Sequence, residues 1–592
     1  MSLIVQKFGG TSVADCDKIV AAARKAIRAQ KEGHQVVMVV SAMGKNTDVL
    51  VDLARQINDR PPAREMDMLL STGEQVSVAL MAMAIHSLGA QAVSLTGAQI
   101  GIRTDSTHTK ARIISIETER VKELLAAGNI VIAAGFQGID ENLNITTLGR
   151  GGSDTTAVAL AAVLDADACE IYTDVDGVYT TDPRKLAEAR RVLQISYDEM
   201  LELASLGAGV MHSRSVEFAK KFGVPIHVRS SFTDSTGTMI VDQPESLARP
   251  VSGAAMTKDE ARITIEGVPD VPGITHELFH SIASKAISVD MVVQNIGADG
   301  RANISFTVPR EELDQTLDAV RSAADILQYS NVAHDEEVSK ISVVGLGMAE
   351  QSGVADQMFR VLADAGINIQ MITTSEIKIS VLVSREDANR ALAAVHSGFL
   401  LDKTPEDAPP SVAAVPRDCD RDAAEIVSRL RTMEDLTIDS IVLDDSQSVI
   451  ALRRIPDRPG IAARVFEAIA SAGILVDMIV QNVGRGDAAN LSLTVPKHAS
   501  DQALLVAKKI GDELGAEEIL CKEDAAKLSV SGIGLRSHTG VGIRMFRALS
   551  DSGINVELIN TSEVMVNVIV EGKQGQAGLD ALNKAFADVM LN

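Results

Sequence analysis

Short unbroken apolar runs alternate with helical periodicity over residues 1–245. The runs at 3–8, 35–40, 92–95, 130–134 and 170–173 have strand length. The segments 13–31, 63–88, 117–127 and 155–164 place apolar residues every three to four positions. Strands apolar on both sides, with helices between them, predict a mostly parallel sheet covered on both faces. This part of the chain is read as an α/β domain.

From residue 262 the pattern becomes a repeat. VPDVPGITHELFHSIASKAISVDMVVQN at 268–295 is matched by IPDRPGIAARVFEAIASAGILVDMIVQN at 455–482, an offset of 187 residues. GIN at 366–368 and 553–555, and TSE at 374–376 and 561–563, keep that offset. Each unit is itself a pair, because Gly273 and Gly353 both open a helical pattern 80 residues apart. Each quarter is expected to run strand, helix, strand, strand, helix, strand, a small ferredoxin-like sandwich. The predicted domains are therefore 1–245, then sandwiches at 262–336, 339–400, 447–523 and 526–592. A linker at 401–446 separates the two pairs; it holds TPEDAPPSVAAVPR and a helical pattern near 420–433.

Composition narrows the function. The chain has 56 Lys plus Arg against 80 Asp plus Glu, a formal net charge of −24, which argues against binding a nucleic-acid backbone. A local basic pocket for one small anion is compatible with it. The four cysteines (Cys16, Cys169, Cys419, Cys521) form no CxxC pair, as expected in a reducing cytoplasm. The apolar runs fall short of the ~20 residues that span a membrane, and no signal-peptide pattern opens the chain.

Four polar segments carry chemistry. Lys7-Phe8-Gly9-Gly10 ends the first strand, where glycines let backbone N–H groups reach a phosphate and Lys7 can neutralise its charge. TTLGRGGSDTT at 146–156 offers Arg150 as a planar fork for a carboxylate, with Ser153 and Asp154 behind it. Ser153 or Asp154 equally suits the role of helix cap. IYTDVDGVYTTDPR at 171–184 ends a strand in a polar turn, and AREMDMLLSTGEQ at 63–75 places Glu74 after a Ser-Thr-Gly break. HELFH at 276–280 fits the zinc-protease pattern, but its counterpart ARVFE at 463–467 cannot bind zinc, so no metal site is read. No GxxxxGK[ST] motif occurs.

Together these segments, with SAMG at 41–44 and GFQG at 135–138, resemble the aspartate kinases of the amino-acid kinase family. The later repeats resemble ACT domains, the family's amino-acid sensors, in a four-repeat arrangement similar to cyanobacterial forms. The resemblance implies ATP with Mg2+ as phosphoryl donor and L-aspartate as acceptor. It implies that Lys7 stabilises the transferred group and Asp154 organises that site. Arg150 would hold the α-carboxylate, Glu74 the ammonium, and Ser41, Thr47 and Ser153 would complete the pocket. Phe8, Gly9, Gly10, Thr173, Asp174, Tyr179 and Arg184 would line the nucleotide. Gly209 stands where some members carry a lysine. A related acetylglutamate or glutamate kinase, or a catalytically silent amino-acid sensor, is the alternative.

The resemblance also implies feedback inhibition by lysine, threonine or both at paired ACT domains. The loop Asp270, Gly273, Ile274 with Gln294 and Asn295 is expected to face Asn368, Ile369, Thr374, Ser375 and Glu376 of the neighbouring repeat. Asp457, Gly460, Ile461, Gln481 and Asn482 would face Asn555, Val556, Thr561, Ser562 and Glu563 likewise. ACT pairing predicts a homo-oligomer, most simply a two-fold dimer.

Overall fold

The computed structural model describes residues 2–207, 210–285, 287–296, 300–351, 353–409, 436–483, 488–533, 535 and 540–590. Eight strands form the first sheet. Their spatial order is Gln194–Ser196, Thr238–Val241, Ile226–Ser230, Ala168–Thr173, Leu3–Phe8, Gln35–Val40, Ile130–Ala134, Ala92–Leu95. The last six are parallel, and the step between Ile226–Ser230 and Thr238–Val241 is antiparallel. Val37 to Val40 are wholly buried, as an unbroken apolar strand between two helical layers must be. Helices Cys16–Lys31 and Ala63–Ser87 pack on one face, and Gly152–Val163, Tyr197–Ser205 and Ser213–Phe222 on the other.

A second sheet of four short strands (Ile113–Ile116, Ile102–Thr104, Gln137–Ile139, Ile145–Thr147) was not legible in the pattern, because three- and four-residue strands show no periodicity. Ala63–Ser87 is a single helix, as the periodicity over 63–88 predicts, and it runs unbroken through Ser71-Thr72-Gly73, where a break was also expected. By length and apolar content this helix could cross a membrane. Its buried side instead carries Asp67 and Glu74 into the protein.

The repeats form one twelve-stranded sheet. Four long strands organise it: Gly253–Pro269, Asn331–Val344, Thr437–Pro456 and Glu518–Ile533. Asn331–Val344 closes the first sandwich with its start and opens the second with its end. The second sandwich takes its outer strand from the start of Gly253–Pro269, where Gly253 to Thr257 pair with Val344 to Lys340. The fourth takes its own from Thr437 to Asp444, which pair with Ile533 to Lys527. The expectation that every quarter closes with its own last strand is thus corrected. The end of the expected linker, residues 437–446, is strand; 410–435, with the helix expected near 420–433, lie outside the described residues.

The sandwiches pair across the two units. Met371–Ser375 of the second hydrogen-bonds Ile479–Val483 of the third, and one core is built from both. The first and fourth share another core, in which Phe279 and Phe546 lie 5.9 Å apart. Ile438, fully buried in the borrowed strand of the fourth sandwich, joins that core. Ile438→Ala is expected to cost about 2–5 kcal/mol and to lower the melting transition of the repeat assembly in calorimetry. An unchanged transition would show that the borrowed strand is dispensable.

Candidate active site and effector sites

The strand end at Lys7, the Ser41–Ala42 turn, helix Ala63–Ser87 and the start of helix Gly152–Val163 meet around a cleft of about 1060 Å³. Close approach dictates two glycines here. A Cβ on Gly10 would lie 2.9 Å from the Ala42 carbonyl oxygen, and one on Gly73 2.8 Å from the Ala42 Cβ. Both allow this turn to seat beside Glu74, whose carboxylate accepts the Ala42 N–H at 3.0 Å. Gly151 (φ +70°) turns the chain into helix Gly152–Val163. No side chain caps that helix, so Ser153 and Asp154 are not spent on capping; the Gly152 N–H donates to the Gly149 carbonyl at 3.1 Å, and the N–H groups of Ser153 and Asp154 stay open to an anion. Asp154 forms an ion pair with Lys7 at 2.5 Å, both side chains nearly buried.

Lys7, Gly10, Ser41, Thr47, Glu74, Arg150, Ser153 and Asp154 therefore line one cavity, as expected. Arg150 stands exposed at the mouth. Gly9 adjoins the cavity, and a Cβ on it would lie 3.5 Å from the Lys7 Nζ. Phe8 does not line it: its ring is fully buried and stacks on Tyr172 at 4.6 Å, an alternation forced by the strand. Thr173, Asp174, Tyr179 and Arg184 do not line it either. The Thr173 hydroxyl donates to Asp174, the Tyr179 hydroxyl to Asp176, and Arg184 grips Asp182 on the surface. Gly209 lies outside the described residues.

The sequence missed Lys110, Arg112, His212, Arg214 and Glu217, which also line the cleft. Asp67, fully buried, holds the loop that carries Lys110: it accepts from the Thr109 N–H at 3.0 Å and the Thr147 hydroxyl at 2.5 Å, and pairs with His108 at 2.7 Å. Arg214 donates to the carbonyls of Leu148 and Ala111. No glycine turn or spacing marks these residues, and only the fold brings them together. Burial, with Arg214 adding to it, pushes the His212 imidazole below its ordinary range and favours its neutral form. Burial pushes Glu74 up to about 7 against the opposing Ala42 N–H.

The chain matches the amino acid kinase family over residues 2–230 and the ACT domain over 263–323, 341–399, 453–509 and 528–586. It is 50% identical over 404 residues to an aspartate kinase of Stutzerimonas stutzeri, covering 68% of this chain and 98% of that one. The chain belongs to the aspartate kinase family. Among solved structures it resembles aspartate kinase from Synechocystis, with 41% identity, a TM-score of 0.52 and coverage of 99% and 98% of the two chains. It also resembles E. coli aspartokinase III in complex with aspartate and ADP, with 26% identity, a TM-score of 0.56 and coverage of 67% and 100%. The same enzyme in complex with lysine and aspartate has a TM-score of 0.54.

The expected effector residues of this aspartate kinase meet across different partners from those foreseen. Asn555 donates to Asp270 at 2.8 Å and Gln294 to the Val556 carbonyl at 2.8 Å, joining the first ACT domain to the fourth. Asn368 donates to Asp457 at 2.9 Å and Gln481 to the Ile369 carbonyl at 3.0 Å, joining the second to the third. The expected pairing of Asp270 and Gln294 with Asn368 and Ile369 is corrected: shared strands join the first and second domains within one sheet, and the hydrogen-bonding partners of Asp270 and Gln294 come from the fourth domain. Gly460 and Ile461 line the second seam, where only about 10 Å³ is free. Thr374, Ser375 and Glu376 line a separate opening of about 510 Å³ with Asp477. Thr561, Ser562 and Glu563 line its counterpart of about 120 Å³ with Asp290. Gly273 and Ile274 begin the helix beside Asp270. Asn482 is buried in the sheet, and the Asn295 side chain lies outside the described residues.

If Glu74 meets the substrate ammonium as the sequence leads one to expect, its ionised form is the binding one, and a Glu74 that must first release its proton weakens aspartate capture at low pH. The kcat/KM for aspartate is expected to rise with pH through about 7, and Glu74→Gln to flatten that rise. An identical pH profile in the variant would remove Glu74 from the aspartate pocket.

Proposed function

We propose that this aspartate kinase transfers the γ-phosphoryl group of ATP to the β-carboxylate of L-aspartate, and that lysine, threonine or both inhibit it through the two ACT pairs. The Lys7–Asp154 pair, set beside an uncapped helix N-terminus and opposite Glu74, carries the first half of this reading. A carboxylate oxygen of aspartate attacks the γ-phosphorus, the bond to the ADP oxygen breaks, and 4-phospho-L-aspartate and ADP result. The nucleophile is already ionised at neutral pH, so no general base is required. Catalysis then rests on alignment and charge neutralisation. Lys7 faces the transferred group, Asp154 fixes Lys7, Arg150 takes the α-carboxylate and Glu74 the ammonium. Ser41, Thr47 and Ser153 complete the pocket.

Bound magnesium supplies further neutralisation of phosphate charge. The residues fit an ion carried in by the phosphates with Asp154 nearby, since no cluster of three metal-binding side chains occurs among the described residues. The intact Lys7–Asp154 pair favours a working kinase over a silent sensor. The aspartate, ADP and lysine held by E. coli aspartokinase III support the substrate and effector classes. For the effector sites, the support is that the same polar contacts recur at both seams, each exchangeable for an amino acid's ammonium and carboxylate. The proposal includes a place in lysine, threonine and methionine biosynthesis, a cytoplasmic location, and a two-fold homodimer through the ACT domains.

The test is ADP release with Mg-ATP and L-aspartate, alone and with lysine, threonine or both. Aspartate-dependent release suppressed by those amino acids is expected; release with glutamate or acetylglutamate instead would move the substrate. Lys7→Ala is expected to lower kcat at least ~10²-fold with aspartate binding kept, and near-normal turnover would refute its role. Gln294→Ala is expected to relax inhibition without loss of uninhibited activity, as read from inhibitor titrations. Unchanged titrations would take the first ACT pair out of sensing.

A further inference from the structure

Helix Tyr197–Ser205 of the kinase domain carries Glu202, which is fully buried against the ACT domains. Its Oε2 forms an ion pair with Lys378 of the second ACT domain at 2.8 Å. Its Oε1 accepts the backbone N–H of Glu563, in the fourth ACT domain, at 3.0 Å. One kinase carboxylate is thus held by both ACT pairs at once. Burial works against the Lys378 charge, but Glu202, Asp290 and Glu563 hold its ammonium above the ordinary lysine range. Glu199, on the same helix, accepts from the Leu346 N–H and the Ser252 hydroxyl.

Internal duplication shows that this contact is not a requirement of the ACT fold. Position 565, the 187-residue counterpart of Lys378, is Met, which could not pair with a carboxylate. Glu376 and Glu563, identical in the duplicated motif, also part company: Glu376 is exposed and Glu563 is buried at the kinase boundary. A buried ion pair seldom stabilises more than apolar packing would, so its presence calls for another role.

The route to the cleft is short. Helix Tyr197–Ser205 packs on helix Ser213–Phe222 through Met200, Leu201, Val216 and Phe222, and Lys220 pairs with Asp198 at 2.6 Å. The second helix and the residue before it place His212, Arg214, Glu217 and Lys221 on the cleft wall. We propose that Glu202 is a positioning residue through which both ACT pairs set that wall, and that the Glu202–Lys378 pair transmits inhibition. This rests on the reading that amino acids bind the ACT pairs. An effector that moves Lys378 or the Glu563 backbone leaves Glu202 a buried charge short of a partner, which the helix relieves by shifting. Because both pairs act on one carboxylate, their effects are not independent.

The test compares wild type, Glu202→Gln and the double variant Glu202→Gln with Lys378→Met, which removes both members of the buried pair together. Each is assayed for uninhibited turnover, for inhibition by lysine and threonine, and for calorimetric binding of both. Turnover without effector should match wild type. Half-inhibitory concentrations should rise at least about tenfold in both variants while calorimetric affinities move much less. If Glu202→Gln fails to fold, the double variant alone decides. Variants inhibited as strongly as wild type, or variants that lose binding together with inhibition, overturn the role of Glu202. A wild-type enzyme that neither binds nor responds to either amino acid overturns the regulatory reading itself, and the role of Glu202 with it.

Discussion

Continuity of four long strands governs how the regulatory half is put together. Each strand runs from one ACT domain into the next, so the two domains of a unit are fixed end to end in one sheet. Their edge strands, Asp290–Ile296 and Met371–Ser375, are then not hydrogen-bonded to each other and meet only through side chains, Met291 and Val293 sharing a small buried cluster with Met371. An unpaired edge strand is a liability, and here the duplicated unit relieves it: Met371–Ser375 hydrogen-bonds Ile479–Val483, and Asp290–Ile296 is met by the first and fourth domains' shared contacts. Duplication within one chain thus supplies the complementary edges that two separate units would have to find in each other.

This arrangement explains which parts of the protein could be read in advance. The alternation of apolar strands and helices revealed the parallel sheet because buried parallel strands leave no polar face to blur the signal. The 187-residue duplication located the polar contacts, since Asp270, Gln294 and their counterparts recur. It could not say which repeat faces which, because a strand shared by two modules looks like two adjacent strands. Residues 437–444 illustrate the same limit: they follow a proline-rich stretch, and their partner strand is some ninety residues away.

The candidate cleft was legible where backbone geometry demands particular residues. Lys7-Phe8-Gly9-Gly10 and Arg150-Gly151-Gly152-Ser153-Asp154 sit at turns where a Cβ would collide or φ is positive. Phe8 shows how far a motif reaches, for the strand that aims Lys7 into the cleft aims its neighbour into the core. Lys110, Arg112 and Arg214 had no such mark. Arg214 is held by carbonyls, Lys110 follows the loop that Asp67 fixes, and the Arg112 N–H donates to Asp105; such contacts leave no mark in the pattern, and the relevance of these residues comes only from proximity.

The cleft also resolves an electrostatic tension in the chain. With a net charge of −24 the protein as a whole repels anions, yet the cleft gathers Lys7, Lys110, Arg112, Arg150, Arg214 and Lys221 against Glu74, Asp154 and Glu217. At physiological salt the distant acidic surface is screened beyond about 8 Å, so the local excess of cations decides what enters. Such an excess in a confined space would splay its own side chains, and Asp154 prevents this for Lys7. The carboxylate sits in the first turn of helix Gly152–Val163, where the N-terminal dipole favours negative charge, and fixes the ammonium at 2.5 Å. Lys7 is therefore in place before any ligand binds, so that in the proposed transfer little reorganisation would be left for the moment when phosphate charge shifts.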